Sequence, residues 1–91
     1  MNDISLSAAA WQTAAQAHAA LAAALRFPAY YGGNLDALFD CLRDLDETAL
    51  TVTHCAAAAR QLGDAWPGFI AVFLDAAAEN PRLTIRLRQG K

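Results

Sequence analysis

The chain has 91 residues, a formal net charge of −2 and 56% apolar residues, among which alanine is prominent. A chain of this length is expected to form one domain, residues 1–91, around a small core of its few large side chains. The acidic balance argues against direct nucleic-acid binding, and two cysteines without CxxC spacing argue against a disulfide framework or a structural zinc site. We expect neither a metal nor a cofactor.

Features of the N-terminal region favour a cytoplasmic protein. Asp3 comes early and no basic residue precedes Arg26, so the basic start of a secretory signal peptide is missing. Gln12 and Gln16 interrupt the alanine-rich run too often for a membrane span. Cysteines without a disulfide framework fit the same compartment.

The first predicted elements are a short strand and a helix. Ile4 and Leu6 alternate with polar residues, which favours a strand. Thr13 and Gln16 resemble a capping box, so a helix is predicted to follow them and to be ended by Pro28. Its apolar face is predicted to comprise Ala14, His18, Leu21, Ala22 and Leu25. A histidine on such a stripe is more often a buried, hydrogen-bonded core residue than a ligand.

A short amphipathic helix is the most informative feature of the chain. Asn34 is predicted as its N-cap, and Asp36 lies in the first turn, where the helix dipole favours negative charge. Helical spacing places Leu35, Leu38, Leu42 and Leu45 on one side and Asp36, Phe39, Asp40 and Arg43 on the other. A large ring between charges on an exposed face does not stabilise a fold, so the pattern is typical of a recognition surface.

The second half of the chain is predicted to form two strands and two helices. The predicted ranges are a strand over 49–53, a helix over 56–62 ended by Gly63, a helix from Pro67 to Asn80, and a strand over 83–88. The apolar stripe of the longer helix is expected to contain Trp66, Phe69, Ile70, Phe73 and Ala77. The basic residues from 82 to 91 are expected to form a solvated tail.

The order β-α-α-β-α-α-β predicts an α/β fold. Strands separated by pairs of helices imply right-handed crossovers and parallel pairing. We therefore predict a small three-stranded parallel sheet packed against about four helices.

The segment from Tyr30 to Leu42 resembles the signature of the barstar-like ribonuclease (barnase) inhibitors. Phe27-Pro28, Val72-Phe73 and Leu83-Thr84-Ile85 fit the same frame. The resemblance implies a three-stranded parallel sheet with helices. It also implies a bacterial protein that is not an enzyme, and that binds a small basic ribonuclease as a monomer, one to one, and plugs its active site.

The resemblance also implies roles for individual residues. Tyr30 matches the tyrosine that packs on a catalytic histidine, Gly32 supports the binding loop, and Asp36 and Asp40 match acidic contacts. Phe39 stands where the best-known member has tryptophan, and Asp75 stands where a glutamate contributes. The predicted partner-binding residues are Tyr30, Gly32, Asn34, Asp36, Phe39, Asp40, Arg43 and Asp75. Gly33 replaces an acid and Leu45 replaces a second tryptophan, which puts the identity of the target in doubt.

Two other functions stay open beside ribonuclease inhibition. The altered positions Gly33, Phe39 and Leu45 are compatible with an immunity protein that acts against a different toxin nuclease. An enzyme could use Asp36 and Asp40 as an acid–base pair or as metal ligands. The enzyme is disfavoured because the two carboxylates share a convex helix face, whereas catalysis needs a cleft and a third oriented group.

Overall fold

The computed structural model describes residues 2–91 and contains one sheet of three parallel strands. These are β1 (Asn2–Ser7), β2 (Thr48–Thr53) and β3 (Leu83–Leu87), with β2 in the middle. Ile4 lies beside Leu50, and Leu50 lies beside Ile85. The predicted α/β fold with a three-stranded parallel sheet is confirmed.

Three helices of nine residues or more and one of eight connect the strands. They are α1 (Ala14–Leu25), α2 (Leu35–Arg43), α3 (Cys55–Leu62) and α4 (Trp66–Glu79). Single turns of 3₁₀ helix, Ala8–Ala10 and Gly63–Ala65, precede α1 and α4. Among residues 2–91, none of the helices combines the length and hydropathy needed to cross a membrane.

The start of α1 is as predicted, but its end is not. The capping box is present, since Gln16 N–H donates to the Thr13 hydroxyl and the Gln16 side chain accepts from Thr13 N–H. The helix ends before Arg26, which adopts the left-handed conformation with φ of 57°. Because the residue before a proline disfavours helical angles, Phe27 cannot continue the helix toward Pro28. Phe27 N–H instead bonds back to the Ala22 carbonyl.

The buried stripe of α4 differs in part from the predicted one. Trp66, Phe69 and Phe73 are buried as predicted, and Ala76 completes the stripe. Ile70 and Ala77, which were predicted in the stripe, are only partly buried. The rings of Phe69 and Phe73 are 6.4 Å apart, within the range of favourable aromatic pairs. Alternating steps of three, four and three residues keep this stripe on one line facing the core, whereas Ile70 and Ala77 lie at its border.

Residues 88–91 of the basic tail are exposed, as predicted, but the backbone of 88–90 is hydrogen-bonded to the start of α3. No side chain caps the N-terminus of α3, which begins after His54. The carbonyls of Arg88 and Gln89 accept from the N–H groups of Cys55 and Ala56, and the Gly90 carbonyl accepts from His54 N–H. The tail therefore satisfies the free donors that every helix start leaves. β3 ends at Leu87, one residue before the predicted end.

Candidate protein-binding surface

The α2 helix begins and faces the core as its sequence predicts. The Asn34 side-chain oxygen accepts from Ala37 N–H at 2.8 Å, which confirms the N-cap. Leu38 and Leu42 are fully buried, while Leu35 and Leu45 are partly buried at the two ends. Burial of the leucine side fixes which residues of α2 face outward.

Two contacts with the C-terminal half of the chain hold α2 in place. At its start, a Cβ on Gly68 would come within 2.8 Å of Leu35 Cδ1, so glycine permits α4 to approach this closely. At its end, the buried Asn80 side chain donates to the carbonyls of Leu42 at 3.1 Å and Leu45 at 3.0 Å. The Leu42 carbonyl lies in the last turn of α2, where carbonyls have no partner in a further helical turn, and Leu45 lies just beyond the helix. The helix is therefore anchored at both ends.

A groove between α2 and α4 brings together four of the predicted binding residues. It is lined by Leu35, Asp36, Phe39, Asp40, Val72 and Asp75. The carboxylates of Asp36, Asp40 and Asp75 are all on exposed residues. The Phe39 ring is partly buried and packs against the core, so the prediction of an exposed ring was wrong in degree. Phe39 therefore contributes to packing while it lines the groove.

The side chains of the two adjacent tyrosines lie in different environments. Tyr30 is 86% exposed, whereas Tyr31 is partly buried, and its hydroxyl is hydrogen-bonded to Nδ1 of His18. The rings of Tyr31 and Phe27 are 5.0 Å apart. His18 is buried and lies 4.8 Å from the Phe69 ring, so its predicted role as a core residue is confirmed. Tyr31 anchors the loop in the core, and this leaves Tyr30 facing solvent.

The glycine pair has two separate structural roles. Gly33 adopts φ of 67°, a conformation that residues with a Cβ rarely adopt. Gly32 has no positive φ, but a Cβ there would lie 3.1 Å from the side-chain nitrogen of Asn34. Gly32 therefore leaves room for the N-cap side chain, and Gly33 turns the backbone into α2.

Burial sets the protonation of the groups beneath this surface. It lowers the pKa of His18 and raises the pKa of Tyr31 to about 12, with a smaller effect from Cys41. The lowered pKa favours a neutral imidazole, whose Nδ1 is hydrogen-bonded to the Tyr31 hydroxyl. Burial, followed by the charges of Asp40 and Asp44, raises the pKa of the Cys41 thiol. Cys41 is consequently a small packing residue rather than a nucleophile.

A second hollow lies on the other side of Asp40. Its lining residues include Phe27, Tyr30, Asp40, Cys41, Arg43 and Asp44. Because Asp40 lines both this hollow and the groove beside α4, its carboxylate is central to the exposed side of α2. Across residues 2–91, no three His, Cys, Asp or Glu side chains group as a metal site.

Comparison with known families decides where the chain belongs. The family model described as Barstar (barnase inhibitor) matches residues 1–89. The chain belongs to the barstar family. A search of curated proteins found no match. Barstar-family membership supports a barnase-type ribonuclease inhibitor or a related immunity protein, with a ribonuclease as its protein partner; the family consists of inhibitors rather than enzymes.

Sequence reasoning missed three residues that line or support the candidate binding surface. Val72 lines the groove from α4, Asp44 lines the second hollow, and Asn80 anchors the end of α2. The helical spacing of apolar residues in α4 could have placed Val72 at the border of the buried stripe. No local signal distinguishes Asn80 from an ordinary helix stop, because its partners lie 35 and 38 residues away.

Proposed function

We propose that this chain is a single-domain, monomeric inhibitor that acts in the cytoplasm and binds one small basic ribonuclease of the barnase type. In this proposal α2 and the loop before it enter the active site of the enzyme. One observation carries it: Asp36, Asp40 and Asp75 converge around the Phe39 ring, with Tyr30 exposed beside Asp40.

The carboxylates on α2 are suited to replace RNA phosphates. A ribonuclease holds phosphates with cationic side chains, and a carboxylate can accept charge-assisted, bidentate hydrogen bonds from the same groups. Asp36 and Asp40 are one turn apart, about 5–6 Å at Cβ. An acidic surface also speeds encounter with a basic enzyme and makes association sensitive to salt.

Preorganisation supports the same function. α2 is anchored by Leu38, Leu42 and the Asn80 side chain, so little backbone order has to be gained on binding. Tyr30 already projects into solvent in the free protein. A rigid aromatic residue of this kind is typical of the anchors that dominate protein interfaces.

The ion pair between Asp40 and Arg43 leaves the Asp40 carboxylate available. The closest approach is 3.5 Å, to Oδ1 only, and the Asp40 side chain is 64% exposed. Exposed pairs of this type contribute about 1 kcal/mol or less. An arginine of the enzyme that is desolvated in the interface would therefore compete successfully with Arg43 for the Asp40 carboxylate.

An immunity protein against a different toxin nuclease is the second candidate. Gly33, Phe39 and Leu45 favour it, because these positions differ from the best-known member of the family and would change the contacts around the acidic residues of α2. A panel of purified ribonucleases and toxin nucleases separates the two candidates. Inhibition confined to enzymes outside the barnase type would favour the immunity protein.

The decisive experiment titrates the purified chain into a barnase-type ribonuclease and measures residual RNA cleavage. Asp40→Ala should weaken inhibition on the order of 100-fold or more, since breaking a desolvated charge pair costs about 3 kcal/mol or more. The melting temperature should barely change because Asp40 is exposed.

Asp64→Ala is the matched control. Asp64 is an exposed acid before α4, and roughly 13 Å of helix separates Trp66 from Asp75. Inhibition unaffected by Asp40→Ala, Asp36→Ala and Tyr30→Ala alike would contradict the proposal. Turnover of phosphodiester or ester substrates by the chain, abolished by Asp40→Ala, would show instead that the protein is an enzyme.

A further inference from the structure

Arg43 covers two of the groups that are proposed to meet the ribonuclease. Its Nη2 lies 3.5 Å from Asp40 Oδ1, and its Nε lies 3.7 Å from Asp44 Oδ1. Its guanidinium carbon lies 5.5 Å from the centre of the Phe39 ring, within the range of a cation–π contact. One side chain therefore contacts both the central carboxylate and the central ring of the exposed side of α2.

A guanidinium is also the group that a phosphate-binding enzyme would direct at Asp40. Arg43 thus makes, within the free protein, a contact of the kind that the partner has to make. Its positive charge additionally repels a basic enzyme at the point of closest approach.

We propose that Arg43 is an internal competitor, which must leave Asp40 and Phe39 before a cationic ribonuclease binds there. The predicted role of Arg43 thereby changes from partner contact to specificity-determining residue. This inference rests on the proposed function. Enzymes whose cationic groups can displace Arg43 become targets, whereas those with weaker or misplaced cations are rejected.

The size of the effect follows from the exposure of the contact. The side chains of Arg43 and Asp40 are 43% and 64% exposed, so solvent screens their attraction. Removing Arg43 should therefore strengthen binding by about three- to tenfold at low ionic strength, an amount typical of one exposed ion pair with one cation–π contact.

The test compares Arg43→Gln with the matched control Arg82→Gln by calorimetric titration into a barnase-type ribonuclease. Arg82 also makes an exposed pair at 3.5 Å, with Asp46, and lines neither hollow beside Asp40. Both substitutions remove one positive charge, and glutamine keeps a helix propensity close to that of arginine.

Arg43→Gln is expected to bind about three- to tenfold more tightly than Arg82→Gln in low salt, with the difference shrinking in high salt. In an Asp40→Asn background the difference should shrink, because the Asp40 pair is lost while the contact of Arg43 with Phe39 and the repulsion by its charge remain. Equal or weaker binding of Arg43→Gln, or a gain of the same size in the Asp40→Asn background as in the unsubstituted chain, would overturn the proposal.

A second readout needs no ribonuclease. Tetra-arginine peptide is titrated into each variant, and the amide chemical shifts of α2 are followed. Arg43→Gln should bind the peptide more tightly than Arg82→Gln, and equal affinities would contradict the competition. If neither the natural chain nor any variant binds a ribonuclease, the proposed function fails, while the peptide still decides the role of Arg43.

Discussion

Neighbouring residues on α2 separate stability from recognition. Leu38 is fully buried, while Asp40, two positions along, is exposed on the opposite side of the helix. A side chain that contacts only this protein's core contributes to folding. An exposed side chain that makes no contact with the core is able to contribute to binding, and the helical repeat distributes the two roles along the same nine residues.

Leu38→Ala should destabilise the protein by about 2–5 kcal/mol, because it removes buried methyl groups and leaves a cavity. Urea denaturation followed by tryptophan fluorescence measures the change. Inhibitory affinity should be retained at temperatures where the variant stays folded, because Leu38 does not reach the surface.

Leu74→Ala is the matched control for this prediction. Leu74 is a leucine on α4 that is 60% exposed, so the same substitution should change the free energy of unfolding by about 0.5 kcal/mol or less. Equal losses from the two variants would mean that Leu38 is not a core residue.

At the scale of elements, α2 depends on a residue that belongs to neither the helix nor its neighbours in sequence. Asn80 ends α4 and, through its side chain, bonds to two carbonyls at the end of α2. Its side-chain oxygen accepts from Arg82 N–H, so both the nitrogen and the oxygen of this buried amide are hydrogen-bonded. The end of one helix thereby fixes the position of another.

Asn80→Ala should lower the free energy of unfolding by about 1–3 kcal/mol, since the carbonyls of Leu42 and Leu45 and the N–H of Arg82 each lose a hydrogen bond. It should also speed amide hydrogen exchange in the last turn of α2 and weaken inhibition through loss of order there. Glu79→Ala, a change at the exposed neighbouring position, should have none of these three effects. Protection factors in α2 identical to those of the unsubstituted chain would show that Asn80 does not hold this helix.

At the scale of the whole molecule, the His18–Tyr31 pair links α1, the binding loop and α4. Burial lowers the pKa of His18 from 6.5, so below that pH the unfolded chain binds a proton that the folded chain resists. Stability is therefore lost as pH falls from 6.5 through the lowered pKa. Burial raises the pKa of Tyr31 from 10.0 to about 12, so the unfolded chain releases its proton first and stability is lost across that interval.

The melting temperature, measured from pH 4 to 12, should therefore decline below about pH 6.5 and again above about pH 10. His18→Gln should flatten the acidic decline that this residue causes, and Tyr31→Phe should flatten the alkaline one. Unchanged profiles in both variants would mean that the pair does not contribute to the pH dependence of stability.

Local signals were sufficient wherever the deciding interaction spans a few residues. The capping box of Thr13 and Gln16, the N-cap Asn34 and the leucine spacing of α2 are all completed within one or two turns. The sequence therefore predicts these elements and the outward direction of Asp36 and Asp40. The end of α1 was predicted two residues late because a left-handed residue, Arg26, can end a helix ahead of a proline without any typical signal.

The amino-acid sequence by itself determined the order of the strands and helices, the division of α2 into a buried and an exposed side, and family membership. The family resemblance already grouped Asp75 with Asp36 and Asp40, but tertiary structure was needed to show that they line one groove, that Asn80 holds the end of α2, and that the tail caps α3. The physical reason is distance along the chain. Periodicity and capping act between residues three or four apart, whereas these three contacts join segments more than 30 residues apart, which only the packing of the helices on the sheet brings together.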